Sequence, residues 1–408
     1  SCIRAGEYAP GLYAGWVMKN PAWGGEAPIN YNYEAPYYCT VPTNHAELAE
    51  NYEKLLLDWV PNAEENARKH GYSGVYFEAY PGPLPRGSVF SACNWTGIDD
   101  LGRDCFMNQK SNAALAASPM ILRYYYTRDA EYAAKVYEPF LKKVAAFWVD
   151  YLRWDGTRYV IENDFVHEGP NSINPQTNPL TSLGLVRLLF QGLIAISEDL
   201  GVDEDLREVW RDRLAKMSAY PTFERKRRVV FRNQEAGTSY EFASKFYGLH
   251  EDWSEWSSVT AIPAMSLIYP GGQIGLFSDP KLLAIAKETM AQQARWQDDN
   301  MACFFYAAAA RVGHDPNEIL EKMTELIRTR GHPNMTFDLQ GGGIENMNTV
   351  PAALVEMLCQ SFQGRLRLFA CWPDGLDAKF GNFMACGHFL VSGEKRNGAV
   401  TYARIVSK

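Results

Sequence analysis

The chain has 408 residues, a formal net charge of −8 and a composition that is 47% hydrophobic and 13% aromatic, too long for one small domain and apolar enough for a sizeable core. The acidic balance argues against nucleic acid, which needs a clustered basic surface; the basic run Glu224-Arg225-Lys226-Arg227-Arg228 reads as a solvated loop face. No apolar run reaches the roughly 18–20 residues of a membrane span, and the eight cysteines show no zinc-site spacing, so no metal or cofactor is expected.

The elements are mostly amphipathic helices. Asn44 with Glu47 three residues on reads as a capping box before a helix carrying Leu48, Tyr52, Leu55, Leu56, Trp59 and Val60 at helical spacing. A helix over 111–127 follows, then one from Asp129 with Tyr132, Val136, Phe140, Val144, Phe147, Trp148 and Tyr151 on one stripe. Arg158-Tyr159-Val160-Ile161 is strand-like. Thr181 to Leu200 is apolar on nearly all sides, as in a helix buried on two faces, and Gly201 is the kind of residue that ends one. Further helices are expected at 204–218, 257–269, 279–296, 300–312, 315–331 and 350–362. After residue 365 the texture changes to short apolar runs between turns, Leu366–Cys371, Phe389–Ser392 and Ala399–Val406, which read as strands.

About ten helices thus alternate between partly charged and almost wholly apolar, the pattern of two concentric layers. The expected fold is mainly α: an (α/α)6 toroid with the start of a C-terminal β-domain. Residues 1–40 form an extended lead-in, 41–365 the toroid and 366–408 the partial β-domain. No period of 20–50 residues recurs, which argues against a solenoid. The chain opens at Ser1 with no signal peptide in view, the pattern of a processed chain or a fragment. Cys93 and Cys105 could pair, Cys303 and Cys359 read as buried thiols, and Asn94 and Asn334 head glycosylation sequons. With 11 Trp and 23 Tyr the chain has rings to spare for stacking on the C–H faces of sugars.

Several stretches carry a likeness to a known family. Trp23-Gly24 precedes Ile29-Asn30-Tyr31-Asn32-Tyr33-Glu34, and Pro42-Thr43-Asn44 leads to Glu47; Tyr124 to Leu152 looks like paired helices around a short turn; Tyr269-Pro270-Gly271-Gly272-Gln273-Ile274 and Gly343-Ile344-Glu345 through Leu358 follow in order. In order and spacing these resemble the catalytic toroid of glycoside hydrolase family 95, a likeness covering roughly residues 10–400. The family splits terminal L-fucose or L-galactose from glycans with inversion, and its toroid lies between an N-terminal β-sandwich, absent here, and a C-terminal β-domain, truncated here.

Inverting hydrolysis needs an acid to protonate the leaving oxygen and a second group to activate water, with carboxyls roughly 6.5–9.5 Å apart. Glu345 occupies the family's water-activating position, where the family has Asp, and follows Gly341-Gly342-Gly343, which allows close backbone approach. Asn30 and Asn32 match the family's N-x-N pair, which holds the water; in an extended segment both side chains share a face, and the alternative is an Asx turn. The acid falls on Glu168 counting forward from Val160, or on Glu162 counting back from the helix containing Arg187. His167 either binds substrate or caps the loop. Trp23, Glu78 and Trp256 are candidate sugar contacts, with Trp16 and Trp253 behind them. Trp256-Ser257-Ser258 through Pro263-Ala264, and Asn300-Met301-Ala302-Cys303, depart from the family's terminal-sugar subsite and argue against fucose. The expected protein is an inverting exo-glycosidase acting on an oligo- or polysaccharide of plant or host origin, periplasmic or extracellular. A polysaccharide lyase and a glycan-binding toroid without catalysis are the alternatives.

Overall fold

The computed structural model describes residues 9, 27–79, 109–167, 175–230, 239–251, 265–297, 302–338 and 344–408, without the side chains of 225–230 and 239–243. In chain order come α1 (Ala49–Lys69), α2 (Asn112–Thr127), the short α3 (Ala130–Tyr132), which continues through a π-helical turn Ala133–Tyr137 into α4 (Glu138–Tyr151), a two-residue ladder of β1 (Arg153–Trp154) and β2 (Tyr159–Val160), then α5 (Leu180–Leu200) and α6 (Glu204–Lys216). A hairpin of β3 (Thr222–Val230) and β4 (Ser239–Tyr247) follows, then α7 (Pro280–Gln293), α8 (Ala302–Val312), α9 (Pro316–Arg330) and α10 (Thr349–Leu358). The chain finishes in a hairpin of β5 (Cys359–Phe362) and β6 (Arg365–Leu368) and an antiparallel sheet of β7 (Ala378–Ala385), β8 (Phe389–Arg396) and β9 (Ala399–Ser407).

The helices sort into two layers, and the fold is an (α/α)6 toroid followed by small sheets. Every residue of α8 is buried, because it carries no charge before Arg311 and its run Ala307–Ala310 lets α10 close against it. By contrast α6 buries only Trp210, and α9 only Ile319, Met323 and Leu326; their remaining faces are charged, as outer helices require. Acidic Glu204 and Asp205 open α6 while Arg213 and Lys216 close it, each sign complementing the helix dipole.

The helix α5 is long and apolar enough, by length and composition, to cross a membrane, which corrects the sequence reading; 78% of its most apolar window is buried here, against α2, α4 and α6. Its apolarity serves the core. Neighbours come so near that a Cβ on Gly184 would fall 2.8 Å from the Leu267 Cα, and one on Gly192 2.5 Å from the Ile121 Cγ2. Glycine here supplies contact between helices.

Other expectations are corrected. The Asn44–Glu47 capping box does not form: Asn44 sits at φ 66°, His45 precedes a 3-10 turn Ala46–Leu48, and α1 starts only at Ala49. The basic run 224–228 lies on β3, paired with β4, because alternation there was masked by charge. The helix expected over 350–362 stops at Leu358, and Cys359–Phe362 pairs with Arg365–Leu368 through a tight turn at Gln363 and Gly364, so strand pairing starts ahead of residue 366. Cys303 and Cys359 are buried free thiols; Cys93, Cys105 and most of 257–269 lie outside the described residues.

Two buried ion pairs lock the layers. Glu53 on α1, 1% exposed, accepts from Arg123 Nη1 at 3.0 Å, Tyr132 O–H at 2.5 Å and Tyr137 O–H at 2.9 Å. Arg311 on α8 donates to Glu356 Oε1 on α10 at 2.8 Å and to the Ile268 carbonyl at 3.0 Å. Removing one partner of such a pair leaves a buried charge uncompensated, so Arg123→Met is expected to cost about 3–5 kcal/mol. Arg123→Met combined with Glu53→Gln should recover part of that loss; urea midpoints followed by helical circular dichroism test both, and a double variant no better than the single would refute the argument.

Candidate active site

Residues 27–38 are wound, where the sequence suggested an extended lead-in. The Tyr33 N–H bonds the Pro28 carbonyl at 2.9 Å, Ala35 N–H that of Tyr31 at 3.0 Å and Tyr37 N–H that of Glu34 at 2.9 Å, while Ile29 N–H is held by the Ala79 carbonyl at 2.7 Å. Successive turns therefore replace strand alternation, and Asn30 and Asn32 owe their placement to the turn rather than to a shared strand face. Both are buried.

The partner comes from the other end of the toroid. A 3-10 turn, Ile344–Asn348, runs into α10 and buries Glu345. Asn32 Nδ2 donates to Glu345 Oε1 at 3.3 Å, joining positions 313 apart in sequence. Burial pushes the Glu345 carboxyl up to about 7, against the smaller opposing effect of hydrogen bonds from its own backbone and from Asn32. The other oxygen, Oε2, is buried without a hydrogen-bond partner among the described residues. Tyr31 O–H donates to Cys303 Sγ at 3.2 Å, at the start of α8. Burial drives that thiol well above its ordinary range, and the charge of Glu345 adds to the effect.

Sequence reasoning missed Glu34. It is fully buried, burial raises its carboxyl well above the usual carboxylate range, and nearby backbone N–H groups oppose the rise. Its charge in turn raises the phenols of Tyr38 and Tyr52. An acid in step with Asn30 and Asn32 within an aromatic run was the available signal. Asn348, also buried, was missed too; nothing in its local sequence marks it.

Of the two candidate acids, Glu162 is among the described residues. Glu162 is exposed and doubly bonded to Arg153, Nε to Oε2 and Nη2 to Oε1, both at 2.6 Å. Arg153 holds its carboxyl below the ordinary range, the reverse of what a proton donor needs. Glu168 lies outside the described residues. The chain leading to it is anchored by buried Asp164, which accepts from Lys110 N–H at 2.7 Å, Phe165 N–H at 2.8 Å and Ser182 O–H at 2.6 Å. Across the neck of that loop, Gln176 Oε1 takes the Val166 N–H at 2.7 Å. His167 is buried. Glu78 is half-buried and bonded to Asn66 of α1 at 3.2 Å, so one of its oxygens is engaged by its own scaffold. Trp16, Trp23, Trp253 and Trp256 lie outside the described residues. Among the described residues, no group of three or more His, Cys, Asp or Glu is placed to hold a metal.

The glycosyl hydrolase family 95 catalytic domain matches residues 1–358. No curated protein matches the chain. A solved structure named "Putative kojibiose phosphorylase from human microbiome" is similar over 95% of this chain and 54% of its own, with a TM-score of 0.58 at 12% identity, a likeness that speaks for the fold alone. The chain spans about half the length of that protein.

The raised Glu345 carboxyl has a consequence for stability. Below about 4.5 it is neutral folded and unfolded; above about 7 it is charged in both, and only the folded protein bears the burial cost. Relative to Glu345→Gln, the native protein should therefore lose about 3 kcal/mol between those pH values. Denaturation midpoints of the two proteins across pH 4 to 8 measure it, and a constant difference would contradict a desolvated carboxyl.

Proposed function

The chain belongs to glycosyl hydrolase family 95, and we propose that it is an inverting exo-glycosidase, exported to the periplasm or beyond, acting on a plant or host glycan. Glu168 protonates the leaving oxygen, and Glu345 takes a proton from a water that Asn30 and Asn32 orient on the far face of the sugar. The observation that carries this reading is the buried Asn32–Glu345 hydrogen bond, which unites two parts of the expected water-activating group from opposite ends of the toroid. A carboxyl near 7 suits a base at neutral pH, ionised often enough to act and basic enough to accept the proton. Oε2 offers the acceptor, and Asn32 fixes the orientation of the carboxyl through Oε1.

The phosphorolytic alternative suggested by the structural neighbour's name is less favoured by this arrangement. An ionised Glu345 beside the attacking position repels a phosphate dianion and accepts neutral water. The replaced stretches near 256–264 and 300–303 support a terminal sugar other than fucose. The acid loop favours Glu168 over Glu162, whose carboxyl is occupied by Arg153.

A panel of aryl glycosides and oligosaccharides, with and without inorganic phosphate, tests the reading. The first product seen by proton NMR should be the free sugar of inverted anomeric configuration, with no sugar phosphate. Glu345→Gln and Glu168→Gln should each lower kcat by about 10³-fold or more, and Asn32→Ala by about 10²-fold. Undiminished turnover in Glu345→Gln would sink the mechanism, and glycan binding with no turnover in the native protein would favour a scaffold. Ultraviolet absorbance from an unsaturated uronate would mark a lyase.

A further inference from the structure

A large cavity among the described residues lies away from Glu345, at the other end of the inner helices. Its volume is about 770 Å³, and it opens between the toroid and the C-terminal strands. Tyr125 and Tyr126 come from the last turn of α2, Arg311 from the last turn of α8, and Arg365 from the hairpin after α10. Glu345 precedes the first residue of α10, so the length of that helix, about 15 Å, separates the two places. A cleft of this size at the junction of two structural units is where small ligands bind.

Its polar lining includes amides, the hydroxyls of Tyr125, Tyr126 and Ser361, and cations. Gln191 and Gln273 exchange hydrogen bonds across the mouth, at 2.8 and 3.3 Å; Gln273 Nε2 also donates to the Gly271 carbonyl at 2.8 Å, so Gln273 can still accept from a hydroxyl and Gln191 can donate or accept. Three arginines supply the cations. Arg128 is neutralised by Asp199 at 2.6 Å. Arg311 spends two nitrogens on Glu356 and the Ile268 carbonyl, but its buried Nε has no acceptor among the described residues. Arg365 is exposed, lies 4.0 Å from the centroid of the Phe277 ring and has no carboxylate partner among the described residues. Arg367 shares that ring at 3.6 Å, and partial burial, aided by the charge of Arg365, holds its guanidinium below the ordinary range. Arg365 thus stands as an exposed cation in the lining of a cleft in a chain of net charge −8. Gln363 at the cleft edge takes its φ of 53° from the hairpin turn between β5 and β6.

We propose that this cleft is a second saccharide site, separate from the one around Glu345, and that it takes a sugar bearing an anionic group. Arg365 pairs with the anion, the Gln191 and Gln273 amides meet hydroxyls, and the half-exposed Phe389 ring lies against the sugar's C–H face. The anionic group is a carboxylate or a phosphate, and the two sources are separated by probe.

Titration calorimetry with D-glucuronic acid, glucose 6-phosphate, glucose and inorganic phosphate tests this on the whole chain. Glucuronic acid, glucose 6-phosphate or both should bind, and more tightly than glucose or inorganic phosphate; which of the two does so identifies the anionic group. Arg365→Ala should weaken that binding about tenfold and Gln273→Ala by a few-fold, each with an unchanged melting temperature, while Glu345→Gln leaves it intact. Three results would overturn the proposal: neither acidic sugar binding better than glucose, inorganic phosphate binding as well as the acidic sugars, or binding lost in Glu345→Gln and kept in Arg365→Ala. The last would place the ligand at the Glu345 site, and none of the three depends on whether Glu345 catalyses hydrolysis.

Discussion

The ring closes where its first turn meets its last helix. Residues 29–38 carry Tyr31, Tyr38 and Asn32 against Phe304, Cys303 and Glu345, so chain that would otherwise hang loose becomes an inner wall. Every consequence at the site follows from that closure. Without it Glu345 would face solvent, its carboxyl would titrate in the ordinary range, and Asn32 would have nothing to orient.

Closure also explains why the site holds acids in an apolar setting. Residues of the inner helices are almost wholly apolar, since each is packed on both sides, and α8 contributes eleven buried positions in a row. A carboxyl placed among them loses water on every side, and only a few donors replace it. Glu345 keeps one side-chain donor and rises to about 7. Asp164, equally buried, is met by two backbone N–H groups and the Ser182 hydroxyl, and so serves as an anchor for its loop. Burial raises both carboxyls; at Asp164 the charge of Lys110 and three hydrogen-bond donors oppose the rise, at Glu345 only its own backbone and Asn32 do.

The parallel inner helices give the two mouths of the toroid different character. Polar turns precede α2 and α10 at one mouth, and there Asn32 and Glu345 meet. At the other mouth the helices end, their carbonyls carry partial negative charge, and arginines gather: Arg128 just past α2, Arg311 in the last turn of α8, and Arg365 beyond α10. Burial and ion pairing fix Arg311, whereas Arg365 on its hairpin is left to solvent.

Most of the helices could be read from the sequence because their cause is local: a 3.6-residue apolar period, a Gly at φ 68° closing α5, and a change to short alternating runs where the strands begin. Order and spacing of short motifs were likewise enough to point to the family, and they singled out Asn32 and Glu345, which the fold brings within hydrogen-bond distance. What local pattern could not convey was anything set by neighbours distant in the chain. Charge on 224–228 concealed a strand whose pairing with β4 is a tertiary fact; Asn44 looked like a cap but adopts positive φ within a turn held from Thr40; Asn30 and Asn32 looked extended but are wound. Glu162 and Glu168 are both plain acids in one loop as sequence, and only the fold shows that Arg153 engages the Glu162 carboxyl. Sequence fixes which faces are apolar and therefore which elements form; only the folded ring decides which polar groups lose their water together, because desolvation belongs to the surroundings and not to the residue.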